Sequence, residues 1–103
     1  MMHKDITLED VRQAISNVKH PAIDCSLIEL GMVKDIILKA NNVTLTLLIP
    51  SIEIPESIKN HLINSLRQPI SNIGLNVDVK VETMNQEERQ HFLTMEEKNW
   101  KGL

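Results

Sequence analysis

Aromatic side chains are nearly absent: the 103 residues include no tyrosine, one phenylalanine, Phe92, and one tryptophan, Trp100. Basic residues are in deficit too, with 11 Lys and Arg against 14 Asp and Glu, a formal net charge of −3 and a pI near 5.7. Nucleic-acid binding needs stacking platforms and a basic field, so no nucleic-acid partner is expected. No Lys/Arg cluster exists to hold an anionic lipid surface. No stretch approaches the roughly 18 consecutive apolar residues of a membrane span, so no membrane is implied. Met1-Met2-His3-Lys4-Asp5 leads into a charged helix rather than a signal h-region, and the expected location is cytoplasmic. A single cysteine, Cys25, excludes an intramolecular disulfide and any set of Cys ligands closed within one chain. With only 3 glycines, neither G-x-x-x-x-G-K-[ST] nor G-x-G-x-x-G occurs, and nucleotide binding by this chain alone is not expected.

What remains is ordinary globular usage, 42% hydrophobic and 24% charged, of a size for one domain over 1–103. Thr7 with Asp10 three residues on predicts a capped helix over about 7–18, with Leu8, Val11, Ala14, Ile15 and Val18 at helical spacing. His20-Pro21 ends it. The following 22–31 segment is too apolar for a solvated loop, so part of it is expected to pack on the core. Runs 32–39 and 43–49 read as an antiparallel hairpin about Ala40-Asn41-Asn42. Val43, Leu45, Leu47 and Ile49 share one face of the second run, and Leu48 breaks the alternation, which implies a partly covered outer face.

Pro50 closes that strand. Pro55 suits the first turn of a helix over about 55–68, with Ile58, Leu62 and Leu66 at four-residue steps and Pro69 as its stop. A third strand near 76–82 turns Val77, Val79 and Val81 inward. Asn85 with Glu88 opens a charged final helix through Phe92 to Trp100, a tail of about 85–100 beyond a core of about 7–83. The fold class is α+β, a three-stranded mixed sheet with helices on one face in the order α-β-β-α-β-α. The helical crossover makes the second and third strands parallel, and if the third pairs with the first a mixed three-stranded sheet results.

Few residues suggest chemistry. Cys25 is either a ligand to a metal or iron–sulfur cluster shared across a homodimer or, more simply, a small buried residue. His20 and Cys25, five apart across a proline, match no zinc pattern. His61 has Ser57 and Ser65 a turn away, but an exposed Ser-His pair lacks oxyanion donors and an orienting acid. Glu87-Glu88 and Glu96-Glu97 diverge around a helix axis. No nucleophile, base and orienter come together, and the protein is expected not to be an enzyme. The loop Ser51-Ile52-Glu53-Ile54-Pro55 joins a strand end to a helix start. Either its isoleucines protrude as a protein contact, or they fold back onto the core.

The run from His20-Pro21 to Leu30-Gly31-Met32-Val33 resembles the signature of the iron–sulfur cluster assembly domain family, which includes PaaD, SufT and the N-terminal domain of the Mrp/ApbC cluster-carrier ATPases. The resemblance extends over roughly 7–83, and Gln86 to Leu93 is similar to the segment that follows the domain in several members. Two positions depart from the pattern. Many relatives carry a reactive cysteine before a proline in the loop after the second strand, where this chain has Ile54 before Pro55. An acidic residue often precedes the first proline, where this chain has His20.

Both departures resemble Mrp/ApbC-type N-terminal domains, and the chain looks like such a domain standing alone. The resemblance therefore implies a non-catalytic accessory or adaptor in iron–sulfur cluster assembly or metalloprotein maturation, acting through the 51–55 loop and His20. Iron–sulfur assembly proteins or a Mrp/ApbC-type ATPase are the expected partners. No cofactor would be held tightly by the monomer, though a transient iron–sulfur cluster is compatible with it. The alternatives are a PaaD-like subunit or effector of an oxygenase assembly, and a cluster carrier using Cys25 across a homodimer.

Overall fold

Thr7 caps the first helix, α1 (Leu8–Ile15): its side chain accepts from the Asp10 N–H at 3.2 Å, and Asp10 Oδ2 accepts from the Thr7 N–H at 2.9 Å. The computed structural model describes residues 6–101, so residues 1–5, read above for a leader, lie outside the described residues. α1 ends earlier than its periodicity predicts. The Ser16 hydroxyl donates to the Gln13 carbonyl, and the Val18 carbonyl accepts from the Leu27 N–H at 2.8 Å, which draws 16–19 away from the helix axis. The 22–31 connection is buried as expected at Ala22, Ile23, Cys25, Leu27 and Leu30.

The hairpin joins β1 (Val33–Lys39) to β2 (Asn42–Ile49). Its positive φ falls on Ala40, at 56°, rather than on an asparagine. The register slips by one residue between Lys34 and Ile37, where Asp35 adopts a φ of 54°, the left-handed backbone of a β-bulge.

β3 (Asn76–Thr83) runs parallel to β2, from Asn42 opposite Asn76 to Ile49 opposite Thr83 without a break. The sheet order is β1-β2-β3, so the third strand pairs with the second and not with the first. β2 is accordingly the most buried strand, with Leu45 to Ile49 all covered, as suits a strand flanked on both sides. β1 and β3 alternate or lie exposed, as edges do. Leu48 is buried, so the break in alternation does mark a covered outer face. Val77 and Val79 are half-buried as predicted, but Val81, on the open edge, is exposed.

α2 (Glu56–Asn72) continues through Pro69 instead of stopping before it. An interior proline costs about 3 kcal/mol. Pro69 is close to the helix end, and Ile70 beyond it is wholly buried, a gain of about 1.5–3 kcal/mol that offsets most of that cost. Gly74, at φ +89°, closes the turn into β3. α1 and α2 pack on each other, α1 against β1 and α2 against β3.

α3 (Gln86–Asn99) starts at an Asn85–Glu88 capping box. It docks on connections through buried Phe92 and through backbone bonds from Asp24 N–H to the Asn99 carbonyl and from Lys101 N–H to the Ala22 carbonyl.

Candidate functional site

Ser26-Leu27-Ile28-Glu29 forms a capping box of its own. The Ser26 N–H donates to Glu29 Oε1 at 2.8 Å, and the Glu29 N–H donates to Ser26 Oγ at 3.1 Å. The Ser26 backbone N–H first, and its hydroxyl second, hold the Glu29 carboxyl below the usual carboxylate range. The turn closes in a Schellman motif, with Met32 N–H to the Leu27 carbonyl at 2.9 Å and Gly31 N–H to the Ile28 carbonyl at 3.0 Å. Gly31, at φ +73°, takes the left-handed position this closure needs, and buried Leu27, Leu30 and Met32 plug it into the core. The Leu-Gly-Met-Val run is therefore a structural turn that launches β1.

His20 and Cys25 face each other across the same segment by backbone, with the His20 N–H donating to the Cys25 carbonyl at 3.1 Å. Cys25 itself is only 4% exposed. Burial, with Glu29 and Asp24 nearby, pushes its thiol up, against a smaller opposing pull from Lys19. In this conformation the sulfur has neither the exposure nor the ionisation of a thiolate ligand. The half-buried His20 ring lies 6.4 Å from the Phe92 ring, and its Nδ1 accepts from the Ala22 N–H at 3.0 Å. Burial first, then His61 and Lys101, hold this imidazole below its ordinary value. Accepting at Nδ1 and being hard to protonate agree with each other: both favour the neutral imidazole.

The 50–55 loop divides its two isoleucines. Ile54 packs against the core, whereas Ile52 is 80% exposed at the tip. The Ser51 hydroxyl accepts from the Glu53 N–H at 3.1 Å, and Arg89 of α3 reaches back with Nε to the Pro50 carbonyl at 3.0 Å. A second Arg89 nitrogen donates to the Met84 carbonyl at 3.3 Å. The loop is thus held at its base and stalk while its tip presents one apolar side chain beside exposed Glu53 and Pro55.

A family model described as iron-sulfur cluster assembly protein matches residues 8–83. The chain belongs to that family. No curated protein matches the chain. The match takes in both the 26–32 turn and the 50–55 loop, and it stops at the end of β3.

Among the described residues, no group of three or more His, Cys, Asp or Glu side chains is placed to hold a metal ion. With Cys25 covered, the donor set does not fit a cluster held by one copy. The Ser65 hydroxyl donates to the His61 backbone carbonyl at 2.7 Å, not to the imidazole, so the Ser-His pair is not assembled. Grooves of about 400 Å³ between α1 and β1 and about 290 Å³ on the outer face of the sheet are lined by neither His20, Cys25 nor the 50–55 loop. Among the described residues, no helix is long and apolar enough to cross a membrane.

Sequence reasoning missed two contributors. Arg89 anchors the loop, and His91 buttresses the 26–32 turn by donating from Nε2 to the Glu29 carbonyl at 2.9 Å. Both bonds go to backbone carbonyls distant in sequence, which leave no local signature. The Ser26–Glu29 box, by contrast, is visible as S-x-x-E.

Proposed function

We propose that this protein is a non-catalytic cytoplasmic adaptor in iron–sulfur cluster assembly, binding an assembly partner such as a Mrp/ApbC-type ATPase through the 51–55 loop. The observation that carries the reading is Ile52: a large apolar side chain, 80% exposed, on a loop whose base is hydrogen-bonded to Arg89. A pre-ordered loop loses little entropy on docking, so burial of one such side chain counts nearly in full. Membership of the family supplies the pathway. The covered Cys25 supports protein contact over cluster carriage, with clusters the cargo of the partner.

Binding of the purified protein to a purified Mrp/ApbC-type ATPase tests this. Ile52→Asp should weaken it by about tenfold or more, since burying an isoleucine is worth about 1.5–3 kcal/mol, with the fold unchanged by circular dichroism. Equal binding by wild type and Ile52→Asp would remove the loop from the reading. Anaerobic reconstitution with iron and sulfide tests the other half: stoichiometric cluster binding that survives Cys25→Ser would overturn a purely adaptor role.

A further inference from the structure

The two edges of the sheet are not alike. β1 is interrupted by the Asp35 bulge, a device that spoils edge-to-edge pairing. β3 has no bulge and no proline, keeps an unbroken register with β2, and among the described residues has no strand on its other side. Which backbone groups it offers follows from its existing bonds. Asn76 N–H donates to the Asn41 carbonyl and Met84 N–H to the Ile49 carbonyl, so even-numbered residues face β2. The alternation of a strand then points the N–H and C=O of Val77, Val79 and Val81 outward.

We propose that this edge pairs antiparallel with the β3 edge of a second copy, about a two-fold axis at Val79, to give a continuous six-stranded sheet. Charge selects the register. A two-fold at Asp78 or at Lys80 would set like charges directly opposite, which destabilises a pair. Centred on Val79, Asp78 stands opposite Lys80 of the second copy, and Lys80 opposite Asp78. Val77 then faces Val81, which is 37% exposed in the single chain. The outward-facing valines form the hydrogen-bonded pairs, and the Asp–Lys pairs fall at the closer, non-hydrogen-bonded positions where side chains meet best. A two-fold at Val81 also sets Lys80 against Glu82, but it pairs only Val79 to Thr83 instead of Asn76 to Glu82. The longer ladder favours Val79. This dimer is independent of the adaptor reading and uses a different surface.

Analytical ultracentrifugation of the full chain across a concentration series tests it. Wild type should show a monomer–dimer equilibrium. Val79→Pro removes a donor that points away from β2, so it should abolish the dimer while far-UV circular dichroism stays that of the folded chain. Lys80→Asp should weaken dimerisation by about tenfold, because two attractive cross-strand pairs become repulsive. The exchange Asp78→Lys with Lys80→Asp should restore it, an outcome that a merely structural role for either residue would not produce. A wild type that stays monomeric throughout, a dimer that survives Val79→Pro, or an exchange no tighter than Lys80→Asp alone would each overturn the proposal.

Discussion

The His91 ring carbon Cδ2 lies 3.4 Å from where a Cβ on Gly31 would stand, while Nε2 of the same ring bonds the Glu29 carbonyl at 2.9 Å. One side chain of α3 thus bears on the turn that starts β1 both by a hydrogen bond and by close approach.

Gly31→Ala is therefore expected to lower stability by about 1–2 kcal/mol, the cost of a left-handed backbone for a residue with a Cβ. Urea unfolding measures it. The contact at 3.4 Å is near ordinary van der Waals range. Most of the loss should persist in a His91→Ala background, and a loss that vanished there would assign the cost to the ring instead.

Stability should fall on acidification through the protonation of His20. Its folded value is held down by burial, His61 and Lys101, so the folded state favours the neutral ring. The contribution is fully present above the unfolded value, about 6.5, and is lost as pH drops through that toward the lower folded value. His20→Asn, which keeps an acceptor for the Ala22 N–H, should flatten this limb in unfolding midpoints measured from pH 8 to pH 5. An unchanged slope would place the titration elsewhere.

Ala40→Gly should stabilise the hairpin by about 0.5–1 kcal/mol, because Ala40 sits at φ 56° and glycine carries no Cβ penalty there. Thermal unfolding reports it as a raised midpoint. A lowered midpoint would mean that the added freedom of the unfolded chain outweighs the relieved strain.

The Cys25 thiol should react with an alkylating reagent at pH 8 at least about tenfold more slowly in the folded protein than in urea, since it is both covered and held protonated. Rapid native labelling would show the 20–26 segment opening readily and would reopen Cys25 as a ligand.

Local rules carried much of this far. The Thr7–Asp10 and Asn85–Glu88 boxes each open a helix where the sequence places it, and the alternation of Val43, Leu45, Leu47 and Ile49 locates the core face of β2. Pairing order was less legible, because edge and centre differ in how many sides are hydrogen-bonded, and only the unusually apolar run of β2, with Leu48 breaking its alternation, hinted that it is the centre. Pro69 misled because burial of Ile70 acts from elsewhere in the fold. In the candidate site, position was readable but exposure was not. Ile52 and Ile54 are chemically identical, and only the path of the chain between Pro50 and Pro55 separates them. The thiol was likewise visible, but its burial depends on a closure made by Leu27 with Val18 and by Asp24 with Asn99.

Helix α3 lies beyond the residues that the family model matches, yet it supplies Arg89 to the Pro50 carbonyl, His91 to Glu29 and Phe92 to the core. The matched part lays out the loop and the turn, and the helix that follows it sets their posture. A change in α3 is therefore expected to re-aim the loop tip and the turn while every residue of both stays the same, a lever that acts on them from outside their own sequence.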